Sequence, residues 1–181
     1  MTSPCPPLSD ADWPAEILDL REGFAGALNV YRTMAHHPAL LRAWAPLRQH
    51  IVKDTALGPI RSELVILRAA HRMGSDYEWA HHVSRARALG MPDQRILGMR
   101  GENDNRPDGE DGLIAAAVDA LFEQRRLPAP LEAELAQTLG RKAVIDLIAT
   151  VGFYSVLGYI LMTYETPVDA GVAQEMQDHP L

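Results

Sequence analysis

Apolar residues recur along most of this chain three or four positions apart, and turn residues cut the pattern into helix-length segments. Serine and aspartate at positions 9, 10 and 12 can cap a first helix running from about Pro14 to Glu22. Phe24, Leu28, Tyr31 and Met34 predict a second, from Phe24 to about Ala35. After the break at His36-His37-Pro38, the positions Leu40, Leu41, Trp44 and Leu47 predict a third, which Pro46 kinks or shortens. Gly58-Pro59 introduces a helix over Ile60 to Met73. Gly74 ends it, Ser75 starts another over Asp76 to Leu89, and Gly90 closes that one. Pro92 opens a short helix to about Met99, and a polar, turn-rich loop follows over 101–110. Three more helices are predicted: Asp111 to about Arg126, Leu131 to Thr138, and Arg141 to about Tyr164. No alternating apolar-polar run bounded by hairpin turns interrupts the series.

The expected architecture is therefore all-α, a single-domain helical bundle of roughly seven to nine helices. Residues 1–12 read as a flexible N-terminal segment, 13–165 as the helical domain, and 166–181 as a loose polar tail. A mass of 20.0 kDa suffices for one sizeable core. The net charge of -7 argues against a nucleic-acid surface. A single cysteine, Cys5, allows no internal disulfide and no thiolate metal cluster. The start lacks the pattern of a signal peptide, so a cytoplasmic location is expected. The apolar run from Ala143 to Met162 is long enough to span a membrane. Its Asp146, Thr150, Ser155 and two glycines instead favour a core helix partly used in a subunit contact, so no membrane partner is expected.

Against this background the stretch from Glu63 to His82 stands out. Glu78 and His82 are four apart, and their inward stripe continues as Trp79, Ala86 and Leu89. Glu63, on the preceding helix, is in line with Ile66, Leu67 and Ala70. Charged groups on inward stripes are rarely buried unless paired, so Glu63, Glu78 and His82 are expected to meet between the two helices. A histidine oriented by carboxylates suits general acid-base chemistry. Ser75-x-x-Glu78 also reads as a capping box, a structural role that competes for both residues. His81 points about 100° away from His82, on the face of Tyr77, and is the weaker candidate. His71 and Tyr77 are further candidates, with Trp79 bracketing Glu78 on its other side. Tyr154 and Tyr159 are assigned to packing. Arg61, Arg68 or Arg72 is expected to hold a substrate carboxylate, although Arg68 and Arg72 read as outward-pointing. No resident metal or other cofactor is expected. A divalent ion on the two glutamates and His82 is the lesser alternative.

The pattern Glu63-Leu64 … Tyr77-Glu78-Trp79-x-x-His82 … Gly90 resembles the carboxymuconolactone decarboxylase family, which includes the alkyl hydroperoxidase D proteins. The resemblance covers roughly residues 36–165. It implies the alkyl hydroperoxidase D-like helical fold, a small site between helices, and a homotrimer or homohexamer of intertwined subunits. The hydroperoxidase branch carries Cys-x-x-Cys-x-x-x-His with an upstream glutamate. Laid on this chain, that motif matches Glu63 and His82 and puts Ser75 and Glu78 at the two cysteine positions. Neither can cycle through a disulfide, so thiol-based peroxide reduction loses its chemistry here unless Cys5 reaches a neighbouring subunit's site. The implied activity is that of a cofactor-independent lyase or isomerase acting on a small organic acid or lactone. A family-type hydroperoxide reductase and a non-enzymatic oligomer that binds a small ligand are the alternatives.

Overall fold

The computed structural model describes residues 3–101 and 107–181. Part of the polar loop read over 101–110 thus lies outside the described residues. Ten α-helical segments and no strand are found among the described residues. The fold is all-α, as the periodicity predicts. The first expected helix is broken instead into a 3₁₀ turn (Ala15–Ile17), a single turn α1 (Leu18–Leu20) and a wide π-type turn (Arg21–Ala25). Gly23 is the cause: its φ of -85° and ψ of -115° are not helical. The second helix starts late, as α2 (Asn29–Met34), because Leu28 is extended. Ahead of the first turn, the Leu8 amide donates to the Arg32 carbonyl at 3.2 Å.

The third helix, α3 (Pro38–Gln49), runs through Pro46 and loosens into a second π-type turn (His50–Asp54). Four elements then build the centre: α4 (Gly58–Met73), α5 (Asp76–Ala88), the short α6 (Asp93–Gly98) and α7 (Gly109–Gln124). Helix α8 (Ala129–Leu139) leads into the long α9 (Arg141–Thr163). Helix α4 packs against α5, α7 and α9, and every residue from Ser62 to Ala70 is buried. A helix enclosed on all sides must provide partners for each charge it carries, and α4 carries Glu63 and Arg68 in that stretch.

Helix α9 has the length and composition of a membrane span, with a mean hydropathy of 1.9, yet it is a core helix. Leu147, Val151, Tyr154 and Leu157 are buried among the other helices, while Ile145, Val156 and Tyr159 face outward. Gly158 lets α9 approach the end of α4: a Cβ there would lie 2.9 Å from the Met73 sulfur. The turn between α4 and α5 is correspondingly tight. Gly74 takes the left-handed conformation (φ 69°) that a side chain would disfavour, and Ser75 directly caps α5.

One reading is corrected at the C-terminus. The stretch read as a loose tail contains a helix, α10 (Ala170–Asp178), packed against α5. Asp169 fastens it by accepting the Tyr77 hydroxyl at 2.6 Å and the Asn29 amide at 3.0 Å. The Ser84 hydroxyl donates to Glu175 at 2.6 Å. All these anchors are polar contacts to distant residues, which an apolar period does not reveal.

Candidate functional site

The tight Gly74-Ser75 turn folds α5 back along α4, and their facing stripes bring Glu63, Glu78 and His82 together. His82 Nδ1 lies 2.5 Å from Glu63 Oε2, and His82 Nε2 lies 3.5 Å from Glu78 Oε2. All three side chains are buried. The imidazole thus sits between two carboxylates, one at each ring nitrogen. The edge of Tyr154 meets the His82 ring, with centroids 5.0 Å apart. Glu63 also receives the Arg85 Nε at 3.3 Å.

Burial by itself would push the His82 pKa down. The charge and hydrogen bond of Glu63, with Glu78 adding to them, more than offset this and raise it to about 8. Glu63 is held below the ordinary carboxylate range: burial pushes it up, and His82 and Arg85 outweigh that. At neutral pH the pair is an imidazolium donating to a carboxylate. Its contribution to stability has a defined sign. The His82 part is fully present below the unfolded value of 6.5 and is lost as pH rises through about 8. The Glu63 part is present above the unfolded value of 4.5 and is lost as pH falls through its lowered folded value. We therefore expect unfolding by urea to become easier between pH 6.5 and pH 9, by on the order of 2 kcal/mol. The His82→Gln variant should lack this dependence. A wild-type urea midpoint that stays flat across the interval would contradict the assignment.

The capping box forms only by half. Ser75 Oγ accepts the Glu78 amide at 3.4 Å. The return bond is not made, because the Ser75 amide already donates to the Ala70 carbonyl at 3.0 Å. The Glu78 side chain is left for the interior, and its Oε1 is buried without a hydrogen-bond partner. That oxygen belongs to a residue lining a cavity of about 170 Å³, together with Tyr31, Arg48, Tyr77, His81, His82 and Tyr154 among others. The volume is below the range usual for drug-sized ligands and suits a small molecule. Burial raises the hydroxyl pKa of Tyr31, Tyr77 and Tyr154, so all three line the cavity as neutral phenols.

The secondary candidates separate clearly. Tyr77 and His81 stack with centroids 4.3 Å apart, and His81 Nε2 lies 3.0 Å from Asp169. Both line the cavity and tie it to the start of α10. His71 lies at the last turn of α4, away from the cavity lining. Trp79 faces the core beyond α5, where the Arg100 guanidinium lies 3.9 Å from its ring centroid. The arginines expected to hold a substrate are engaged elsewhere. Arg61 pairs with Glu110 at 2.7 Å, and Arg72 with Glu123 at 2.9 Å. Arg68 is not outward-pointing at all: it is completely buried and bound to Asp119 on α7. The arginines at the cavity are Arg85 and Arg48. Arg48 was legible in principle. It follows Trp44 by four and Leu41 by seven, a charge on an inward stripe like Glu63. Its Nε is buried with no hydrogen-bond partner.

The model of the carboxymuconolactone decarboxylase family matches residues 38–102, less than half of the chain. The match contains Glu63, Ser75, Glu78 and His82, so it covers the hairpin that carries the motif. The crystal structure of the debrominase Bmp8 without ligand superposes with a TM-score of 0.76 at 17% identity, over 98% of each chain. A cysteine-to-alanine variant of the same debrominase, in complex with 2,3,4-tribromopyrrole, gives 0.69 at 18% identity over 98% of each chain. At these identities the likeness is one of fold. No curated protein matches the chain.

Proposed function

We propose that this protein is a cofactor-independent lyase or isomerase that moves protons on a small organic acid or lactone. The observation that carries the reading is the buried Glu63–His82–Glu78 relay, in which Glu78 lines a small cavity and has one oxygen without a hydrogen-bond partner. Arg48 supplies the charge that binds a substrate carboxylate, and the neutral tyrosines and apolar walls exclude water around the reacting carbon. Loss of carbon dioxide from such an acid leaves its electron pair on the adjacent carbon as an enolate. A proton from the His82 imidazolium, directly or through Glu78, fills that position, and water later restores the proton. Glu63 fixes the ring and keeps it charged until the proton is needed. An isomerase uses the same relay in both directions.

The test is incubation with a panel of small lactone acids in deuterated water, followed by NMR. The expected result is turnover with solvent deuterium at the carbon that carried the lost carboxylate, or, for an isomerase, at the carbon that gains the proton. Tight binding across the panel with neither turnover nor exchange would replace this reading with a ligand-binding one. Cys5, the chain's single cysteine, is not among the residues of its own chain that line this cavity.

Arg48→Met should raise KM about 10–100-fold, the worth of a charged hydrogen bond, with a much smaller change in kcat. An unchanged KM would remove Arg48 from substrate binding. The outward apolar residues of α9, Ile145, Val156 and Tyr159 among them, support assembly into the homotrimer or homohexamer that the resemblance implies. Light scattering measures that state directly.

A further inference from the structure

A second cavity, of about 520 Å³, adjoins the first and shares Val52 and Arg85 with it. Its lining includes Lys53 from the π-type turn after α3, Gly58, Pro59, Ser62 and Glu63 from α4, and Arg85 from α5.

The Ser62 hydroxyl is the unusual feature. A serine inside a helix commonly bonds back to the carbonyl four residues earlier. Thr150 and Ser155 do so on α9, each at 2.7 Å. Ser62 does not: it is 7% exposed, and its Oγ is buried with no hydrogen-bond partner. Two basic side chains, Lys53 and Arg85, line the same cavity. Lys53 makes no ion pair among the described residues, and Arg85 spends only its Nε, on Glu63. Glu63 is the one carboxylate on the wall, and it is already shared between His82 and Arg85.

We propose that this outer cavity is a phosphate-binding site, with Ser62, Lys53 and Arg85 as its donors. The donors come from three separate elements, and convergence from several directions fits a tetrahedral oxyanion better than a flat carboxylate, which one guanidinium fork satisfies. Val52 and Arg85 line both cavities. A phosphate held outside can therefore be the handle of a molecule whose reacting end lies at His82. That extension rests on the proposed function, whereas the phosphate site itself does not.

Calorimetric titration of the full chain with inorganic phosphate, at ionic strength held constant with chloride, tests the site. Saturable binding of one phosphate per chain is expected. Lys53→Gln should weaken it roughly tenfold or more, and Ser62→Ala about three- to tenfold, in line with a charged and a neutral hydrogen bond. Thermal melts verify that both variants are folded. Absence of saturable binding, unchanged affinity in both variants, or equal competition by acetate would overturn the assignment. Phenyl phosphate provides the second arm. Tighter binding than inorganic phosphate marks a substrate handle, equal binding marks a free ion, and either result supports the site. His82→Gln separates the two proposals, because it should keep phosphate affinity whether or not the protein catalyses proton transfer.

Discussion

Replacing His82 with glutamine is expected to lower turnover by about 10²–10⁴-fold, the usual worth of a positioned general acid or base, while the protein stays folded. Glutamine keeps an amide group near Glu63 and Glu78 but carries no titratable proton. Alanine is a poorer choice. It would leave two buried carboxylates without their shared cation, and breaking a buried ion pair costs about 3–5 kcal/mol, so loss of activity and loss of fold would be confounded. Steady-state kinetics on whichever lactone acid the panel identifies, with circular dichroism on the same sample, provides the measurement. The wild-type rate should also fall as pH rises through about 8, where the imidazolium is lost. A His82→Gln enzyme that turns over at the wild-type rate would end the proton-transfer reading, whatever the geometry of the site.

The largest effect on stability is expected from Asp119→Ala. Arg68 donates from Nε and Nη2 to the two Asp119 oxygens, each at 2.8 Å, and from Nη1 to the carbonyls of Met99 and Gly101 at 3.0 and 2.8 Å. Arg68 is 0% exposed. Removing the carboxylate leaves a guanidinium charge in the core, a loss of about 3–5 kcal/mol. For a chain of this size that lowers the melting temperature by roughly 6–20 °C. The double variant Arg68→Met with Asp119→Leu should recover most of the loss, because a well-packed apolar pair needs no desolvation of charge. Thermal melts of the three proteins decide the point. A single variant that melts within about 3 °C of the wild type would mean that the charge finds water or another partner.

Arg68 also shows where reading the chain alone reaches its limit. Its position on α4 reads as outward because a one-face pattern puts the inward stripe through Glu63, Ile66 and Ala70. Helix α4 is buried on every side, and a one-face pattern cannot express that. Arg48 carries the same local signal as Glu63, a charge on the stripe of Leu41 and Trp44, but only the fold shows that this stripe reaches the cavity. Tyr154 was assigned to packing, and it does pack, against His82 at the cavity. Asp169 left no local signal. Its partners Asn29 and Tyr77 lie 140 and 92 residues away in the chain.

The sequence by itself determined the all-helical class, the main helices from Pro38 onward, the tight Gly74-Ser75 turn, and the convergence of Glu63, Glu78 and His82. These follow from local rules: a 3.6-residue period, glycine and proline at ends, and the cost of burying an unpaired charge. The tertiary structure alone decided that the Glu78 side chain turns inward instead of closing its capping box. It also decided which arginines are consumed by core ion pairs and which face the cavity, and that the last residues close against Tyr77 and His81. Each of these outcomes is a competition for a hydrogen-bond partner among groups far apart in the chain. No single segment holds the information on which partner wins.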